Sequence, residues 1–550
     1  MCPIIPTMQA DPRNIAEYSS KNMDHLGIVA MVCKEIGLSD EIDRILGVDP
    51  RQKVTCGEAV VAIVLNALGF VDRPLYLFPE FMATKPVELL IREGLKAEDF
   101  NDDVLGRTLE KLYRAGPEGI FMRIAANAYK EYKGRFFHND TTTMSLHGEY
   151  EHEEGDLDAV PIRITRGYSK DGRPDLKQFV ISLVMSDDLP VFIQALSGNA
   201  SDKNHFREIV KEYGASLREK WGENKIWVWD SAVYSERNIK EISPSYKWIT
   251  RVPETLSEAK ELIENSDIEK MRSTSLDGYR LFSTEVEYGG TKQRWIVVFS
   301  EKAFAREKKT LGKKIEKEKE KVEKELWHFF NQDFYSAEDG LKALRELEKT
   351  WKYHKVKGIE LVEKRKKKGG GRGRPKNGED LQRFYEINAS FDEDEGAIRK
   401  EMLRKGKFIV ATNELESEKL SDEEALKAYK EQQHAERGFR FLKDPLFFAS
   451  SMFLKNESRI VAMVMIMGLA LMVYSLAEHK LREALERENE TIPDQRKKPT
   501  MRRVFQVFEG ITVLYIGSEM VNVLNLRPIH AKILRLLGRE YERMYCTSYG

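Results

Sequence analysis

The residues best suited to chemistry lie between Ser421 and Pro445, where polar side chains recur at helical spacing. At roughly 100° per residue they form a stripe only about 60° wide on one side of a helix. The side chains of this stripe are Tyr429, Gln432, Glu436 and Lys443. Arg440 lies beside them. A single carboxylate among a base, an amide and a phenol is the surface that a metal-bound phosphodiester requires.

The segment that presents this stripe is predicted to be one helix of about six turns. Ser421, followed three residues later by Glu424, is a capping-box pair, and Pro445 cannot extend a helix. Taken alone, such a segment is more often an ordinary exposed amphipathic helix. Its interpretation as an active-site helix therefore depends on acidic residues elsewhere in the chain.

Two aspartates stand upstream at the ends of apolar segments, Asp140 in RFFHNDTTT and Asp230 in KIWVWDSAVYS. A single aspartate after a strand is usually a turn or cap residue. With Glu436, however, the two supply three carboxylates from two strands and a later helix. Hard cations such as Mg²⁺ prefer oxygen ligands, and two such ions support in-line attack at phosphorus. Asp140, Asp230 and Glu436 are therefore the candidate catalytic and metal-binding residues.

The spacing Y-x2-Q-x3-E-x6-K within residues 429–443 resembles the YREK signature of DDE-class insertion-sequence transposases, the insertion-sequence-four superfamily. The nearest resemblance is to its insertion-sequence-1634-like branch, through GYSKDGRPDLKQ at 167–178 and GNASD at 198–202. The resemblance extends over roughly residues 136–478.

The resemblance implies that Tyr429 and Lys443 contact the terminal phosphates of a mobile element. It also implies two Mg²⁺ ions at the acidic triad, with Mn²⁺ as an expected substitute. Gln432 stands where the family signature has arginine, so Arg440 on the same face is the candidate replacement. The implied partners are double-stranded DNA, as terminal inverted repeats and target, and a second copy of the chain, because two element ends must be joined.

Other basic residues are candidates for contacts with the DNA backbone. Three of them flank a turn in the 167–178 motif: Lys170, Arg173 and Lys177. The most basic run is KRKKKGGGRGRPK, residues 364–376, predicted to be a flexible loop. Within it Arg372 and Arg374 resemble an AT-hook core, whose arginines enter a narrow minor groove. A plain solvated linker is the alternative for this run.

The order of strands and helices after residue 134 predicts the fold of the core. A short strand ends in Asp140, two more strands form a hairpin through Asp187-Asp188-Leu189, and a helix, a strand ending at Asp230, a helix and a fifth strand follow. This order is typical of a ribonuclease-H-like fold. The fold class is therefore α/β, a mixed-sheet catalytic core.

The core is split by an insertion, because the stretch between Asp230 and Glu436 is far longer than such a fold needs. The predicted domains are a helical N-terminal domain for DNA binding or dimerisation, the first part of the core, an α+β insertion, the second part of the core and a helical C-terminal region. Their bounds are 1–130, 131–254, 255–405, 406–480 and 481–550.

Composition places the chain among large soluble proteins, with 550 residues, 41% hydrophobic and 33% charged. Its net charge of −1 means that nucleic-acid binding must come from local patches. Four scattered cysteines and no signal-peptide pattern indicate a cytoplasmic protein, and the resemblance implies a bacterial or archaeal, nucleoid-associated one. Ile460–Ala477 is apolar enough to suggest a membrane span, but a buried core helix is favoured and no membrane partner is expected.

The sequence thus favours a DNA transposase that cleaves and transfers strands at the ends of an insertion sequence. Two alternatives remain open: an inactive, transposase-derived DNA-binding protein, and a ribonuclease-H-like nuclease without strand transfer.

Overall fold

The computed structural model describes most of the chain. The described residues are 18–70, 77–130, 134–147, 150, 160–200, 202–222, 224–367, 381–444, 456–492, 498–517 and 519–546. They form two compact units: unit 1 combines Met1–Ile249 with Lys427–Gly550, and unit 2 is Thr250–Leu426. Unit 2 is wider than the predicted insertion, 255–405, and the division into five domains stays a prediction.

The first part of unit 1 is helical apart from one short strand. Its elements are β1 (Tyr18–Asn22), α1 (Leu26–Glu35), α2 (Leu38–Leu46), α3 (Cys56–Ala67), α4 (Phe78–Ala83), α5 (Val87–Leu90), α6 (Asp102–Arg114) and α7 (Pro117–Ala128). Helix α3 begins with a full capping box, in which Thr55 and Glu58 each accept a hydrogen bond from the other's backbone N–H. The prediction of a purely helical N-terminal region is wrong at β1.

The next segment carries the core sheet of unit 1. Its elements are β2 (Phe136–Leu146), β3 (Lys177–Ser186), β4 (Leu189–Ser197), α8 (Asp202–Glu212), α9 (Gly214–Trp221), β5 (Ile226–Trp229), α10 (Glu236–Ile242) and β6 (Lys247–Arg251), in which the chain crosses into unit 2. The strand order is β4-β3-β2-β5, followed by β6. Strand β2 is antiparallel to β3 and parallel to β5, and β3 is antiparallel to β4. The sheet is mixed, and the order of strands and helices along this segment is the one predicted for a ribonuclease-H-like core.

The β3–β4 hairpin turns on two residues. Ser186 pairs with Leu189, so the loop is Asp187-Asp188, and Leu189 belongs to the strand rather than to the turn. Asp187 has a φ of 51°, which aspartate tolerates better than most residues. The predicted hairpin is therefore confirmed, with a turn one residue shorter than expected.

Unit 2 contains a second set of strands and its own small core. Its elements are α11 (Ser257–Asn265), β7 (Arg272–Ser273), β8 (Tyr279–Tyr288), β9 (Thr291–Ser300), α12 (Glu301–Phe330), α13 (Ala337–Glu348), β10 (His354–Lys367), β11 (Leu381–Glu393), α14 (Glu395–Arg404), β12 (Lys407–Thr412) and α15 (Asp422–Lys430), which runs on into unit 1. Strands β12, β9, β8 and β7 are neighbours in that order. The β8–β9 hairpin turns on Gly289 and Gly290, both with positive φ.

The basic run at 364–376 begins inside a strand, which corrects the prediction of a flexible loop from Lys364 onward. Strands β10 and β11 form a two-stranded ribbon in which Lys364 pairs with Phe384 and Lys367 with Leu381. The positive charge of Lys364 is compensated within the ribbon, because its Nζ lies 2.5 Å from a carboxylate oxygen of Glu386 on β11. Arg372 and Arg374 lie outside the described residues.

The second part of unit 1 is a bundle of helices with one hairpin. Its elements are α16 (Gln433–Leu442), α17 (Glu457–Arg487), α18 (Met501–Val507), β13 (Thr512–Ile516), β14 (Glu519–Leu524), α19 (Pro528–Leu537) and α20 (Arg539–Tyr545). Strand β13 pairs with both β14 and β1, forming a three-stranded sheet from the two ends of the chain. The prediction of a helical C-terminal region is therefore wrong at the β13–β14 hairpin.

Helix α17 is the central core element of unit 1. It is long and apolar enough to cross a membrane, but 83% of its most apolar 18-residue stretch is buried within the fold. It packs against β4 and against α1, α3, α6, α7 and α19. The approach to β4 is close at Gly468, where a Cβ atom would lie 2.8 Å from Ile193 Cγ2. The prediction of a buried core helix is confirmed.

We expect the stability of unit 1 to depend on pH through His25, which is buried just before α1. Its Nε2 bonds to the Leu68 carbonyl at 2.6 Å and its ring stacks on Phe505 at 4.0 Å. Burial lowers the pKa of His25 to about 3. In the unfolded chain this imidazole binds a proton near pH 6.5, whereas in the folded chain its lowered pKa keeps it neutral. The free energy of unfolding therefore falls as the pH falls below 6.5.

The measurement is urea denaturation of wild type and His25→Phe at pH 7 and pH 5. Between these two pH values the free energy of unfolding should fall in wild type by about 2 kcal/mol more than in the mutant. Equal losses in the two proteins would contradict the assignment to His25.

Candidate active site

Asp140 lies inside a strand rather than at its end. Strand β2 continues to Leu146 because three threonines follow Asp140, and β-branched side chains favour extended backbone. The expectation of a strand that ends at Asp140 is therefore wrong. The Asp140 side chain is 39% exposed, and its Oδ1 accepts a hydrogen bond from Thr141 N at 2.7 Å.

Asp230 directly follows β5, as predicted. It caps the short 3₁₀ turn Ser231–Val233, accepting a hydrogen bond from the first backbone N–H of that turn at 2.6 Å. In the parallel pairing of β2 with β5, His138 lies opposite Val228, and Asp140 and Asp230 each follow two residues later. Paired residues of adjacent parallel strands share a sheet face, and the strands lie about 4.8 Å apart. Extended by two residues, this register would place Asp140 opposite Asp230 on one face, although β5 itself ends at Trp229.

The helix predicted between Ser421 and Pro445 is two helices, α15 and α16. At the junction the backbone bonds span three residues instead of four: Gln432 N to Tyr429 O is 3.3 Å and Ala435 N to Gln432 O is 3.0 Å. Such turns advance about 120° per residue. The single stripe calculated for one continuous helix is therefore wrong at Tyr429 and Gln432.

Two contacts anchor the chain on either side of this junction, and they explain a break that helix propensity does not predict. Before it, the Ala428 carbonyl bonds to Nε2 of buried His138 on β2 at 2.9 Å. After it, His434 Nδ1 pairs with the carboxylate of Asp188 in the β3–β4 turn. Burial works to raise the pKa of Asp188, but the hydrogen bond and charge of His434 hold it below its usual value.

Glu436 lies in the first turn of α16, a helix that packs against β2 and β3. Gly438 faces β3, where a Cβ atom would lie 2.8 Å from Leu183 Cδ2, and Leu183 is the cross-strand partner of Asp140. The helix therefore covers the sheet face that carries Asp140. Glu436 itself is exposed, and seven residues later Lys443 lies on the same side of the helix.

The loop between β2 and β3 reaches both the strand and the helix. Lys170 Nζ donates to the backbone and hydroxyl oxygens of Thr141, each at 2.8 Å, and lies 3.8 Å from Asp140 Oδ1. The next residue, Asp171, accepts a hydrogen bond from Lys443 Nζ at 2.5 Å. Asp171 was not among the residues singled out from sequence, because an aspartate in a polar turn has no distinguishing spacing.

The glycines of the two sequence motifs have a structural role. A Cβ atom at Gly167 would lie 2.2 Å from the Gly198 carbonyl oxygen, and one at Gly198 would lie 2.0 Å from the Gln178 carbonyl oxygen. Gln178, buried at 1% exposure, joins the two segments by donating from Nε2 to the carbonyls of Tyr168 and Gly198 at 3.1 and 2.8 Å. These residues form the base of the loop that carries Lys170.

The other candidate DNA contacts are less closely associated with the aspartates. Arg173 makes a bidentate pair with Asp175, and Lys177 Nζ donates to the Tyr150 carbonyl at 2.6 Å. Tyr429 and Gln432 are half-buried at the helix junction, whereas Arg440 is exposed on α16. The side chains of the stripe therefore do not form one continuous surface.

The donor chemistry fits a hard cation, because the candidate ligands are all carboxylate oxygens. The positions of these carboxylates meet the requirements of a shared metal ion only in part. Asp140 and Asp230 occupy matching positions two residues beyond the last β2–β5 pair, but within the described part of the chain no three His, Cys, Asp or Glu side chains are close enough to hold one metal ion. Asp140, Asp230 and Glu436 therefore do not form one metal-binding group in this structure.

Comparison with known proteins gives two family matches. A family described as a domain of unknown function, DUF4277, matches residues 18–126, and the family described as "Transposase DDE domain" matches residues 149–473. The second range contains Asp230 and Glu436 and begins after Asp140. No curated protein matches this sequence.

A solved structure described as "Cryo-EM structure of piggyBac transposase synaptic complex with hairpin DNA" is similar at a TM-score of 0.36 and 10% identity. The similarity covers 87% of this chain and 80% of that chain. A likeness this distant carries no argument about the site. The match at residues 149–473 spans more than half of the sequence, and the chain therefore belongs to the transposase DDE domain family.

Proposed function

We propose that this protein catalyses cut-and-paste transposition, cleaving and transferring DNA strands at the ends of an insertion sequence. We place it in the insertion-sequence-four superfamily, in its insertion-sequence-1634-like branch. The observation that carries the proposal is that Asp140 and Asp230 each lie two residues beyond the last pair of parallel strands β2 and β5, in a chain from a DDE transposase family. Two carboxylates on neighbouring strands are the arrangement that a DDE site requires.

In this proposal Asp140, Asp230 and Glu436 hold two Mg²⁺ ions, with Mn²⁺ as a substitute. When bound, such ions activate a hydroxyl nucleophile and stabilise the leaving 3′ oxygen during in-line attack at phosphorus. Asp140 and Asp230 provide the fixed part of the site, because Asp140 lies in β2 and Asp230 directly follows β5. Glu436 comes from the helix that covers the same face, and its exposed carboxylate has no ion-pair partner among the described residues.

The basic side chains around the aspartates hold the DNA backbone in this proposal. Lys170 supports it most directly, because its ammonium already lies 3.8 Å from Asp140 Oδ1. A scissile phosphate bound next to Asp140 would meet that ammonium. Six further described residues and two positions outside the described ranges complete the proposed DNA surface: Tyr429, Gln432, Arg440, Lys443, Arg173 and Lys177, with Arg372 and Arg374.

A homodimer on DNA and a bacterial or archaeal cytoplasmic location follow from the same proposal. Two element ends must be cut and joined to one target, which requires two active sites. The N-terminal helical segment is then a candidate for end-specific DNA binding or dimerisation.

The test is strand cleavage and joining by the full chain, using duplexes copied from the DNA that flanks the gene. Reactions with Mg²⁺, with Mn²⁺ and with EDTA are compared. Cleaved and joined products with either ion, and none with EDTA, are expected. Cleavage without joining would favour a ribonuclease-H-like nuclease, and binding without cleavage would favour an inactive DNA-binding derivative.

A further inference from the structure

Lys443 is held by a residue to which no role has been given above. Its Nζ donates to Asp171 Oδ1 at 2.5 Å, and the two side chains are 26% and 33% exposed. Lys443 is the C-cap residue of α16. Its hydrogen bond to Asp171 fixes the position of the ammonium at the end of this long side chain.

Asp171 is itself fixed by the strand that carries Asp140. The backbone N–H of Lys170 donates to Thr143 Oγ1 at 3.0 Å, and the hydroxyl of Thr143 lies 3.5 Å from Asp171 Oδ2. The Lys170 ammonium binds Thr141 two residues earlier on β2. The pair Lys170-Asp171 thus links β2 to the end of α16.

We propose that Asp171 is a positioning residue that orients the Lys443 ammonium for a phosphate at the end of the element. This inference rests on the proposed role of Lys443 as a DNA contact. An ammonium has three N–H donors, so Lys443 can keep its bond to Asp171 and still donate to a phosphate. Orientation before binding reduces the conformational freedom that the lysine loses when DNA arrives.

The sign of the Asp171→Asn effect separates positioning from simple electrostatics. Removing a negative charge from a DNA-binding surface strengthens DNA binding if charge alone matters. Removing the anchor of Lys443 weakens binding if Asp171 positions that lysine. Glu483 is the control, because its carboxylate is exposed and lies 4.0 Å from His479, which has no proposed DNA contact.

The experiment measures fluorescence anisotropy of a labelled duplex copied from the flanking DNA, with the full chain in EDTA over a series of salt concentrations. Asp171→Asn should weaken binding about tenfold, as for the loss of one charge-assisted hydrogen bond. It should also lower the salt slope by about one, as Lys443→Met does, because one phosphate contact is lost. Glu483→Gln should bind at least as tightly as wild type.

The double mutant completes the thermodynamic cycle: adding Asp171→Asn to Lys443→Met should weaken binding no further. A separate variant, Asp171→Glu, keeps the carboxylate and should bind DNA with an affinity and a salt slope between those of Asp171→Asn and wild type. A merely structural role would weaken binding in both backgrounds and leave the slope unchanged, which would overturn the proposal.

Other outcomes are equally decisive. Binding by Asp171→Asn that equals or exceeds wild type would overturn the positioning role alone. Wild-type affinity in Lys443→Met would overturn both the DNA contact of Lys443 and this inference. If the predicted affinities hold but wild type joins no strands, the inference stands and the proposed transposition activity fails.

Discussion

Asp140→Asn and Glu436→Gln should each abolish strand cleavage and joining while leaving DNA binding nearly intact. Each substitution keeps the shape of the side chain and removes the charge that holds a divalent ion. The expected loss of rate exceeds about a thousandfold, because residues of one catalytic unit cannot compensate for each other. Asp140 is partly exposed, so its loss should change the free energy of unfolding by less than about 1 kcal/mol.

The assay compares these variants with two matched controls on the same flanking duplexes. Glu540→Gln and Glu483→Gln remove exposed carboxylates on α20 and α17, and both should retain activity. Anisotropy measurements in EDTA report DNA binding separately. A Glu436→Gln protein that still cleaves, beside an inactive Asp140→Asn protein, would show that a different acid completes the site.

Gly198→Ala should cause the largest loss of stability among small substitutions around the site. The added Cβ would lie 2.0 Å from the Gln178 carbonyl oxygen and 2.6 Å from that of Thr165. Both atoms belong to backbone, which cannot rotate away as a side chain can. We expect a loss of about 3 kcal/mol, at the upper end of overpacking effects. The φ of Gly198 lies outside the left-handed region, so the requirement for glycine comes from close approach.

Gly119→Ala is the matched control, since a Cβ atom there has no neighbour within 4 Å. Gly119 lies in α7, where alanine should stabilise the helix by up to about 1 kcal/mol. Urea denaturation of both variants gives the comparison. Equal stability of Gly198→Ala and wild type would mean that the loop base is looser than its contacts indicate. A destabilised Gly198→Ala should also lose DNA affinity, because this base supports Lys170 and Asp171.

Local patterns were sufficient for much of the core. The hairpin through Asp187-Asp188 and the buried strand before Asp230 were both predicted from a few adjacent residues. Each depends on interactions inside one turn or one strand. The apolar run at Ile460–Ala477 was likewise recognised as a core helix, because its length and position fit a buried element better than a span.

Predictions failed where distant contacts override local preference. Residues 431–432 favour helix, yet the chain breaks there because Ala428 is bonded to β2 and His434 to the β3–β4 turn. The basic residues Lys364–Lys367 suggest a loop, yet they pair with β11. The β13–β14 hairpin was missed although its strands carry β-branched residues around Gly517.

The sequence by itself determined which acids are available and in what order, with Asp230 after a buried strand and Glu436 on a later helix. These features depend on residue type and on periodicity within short segments. Only the tertiary structure decided the register that aligns Asp140 with Asp230, and the contact that joins Asp171 to Lys443. Such pairings connect residues far apart in the chain. Their free energy depends on how whole elements pack, which no local pattern contains.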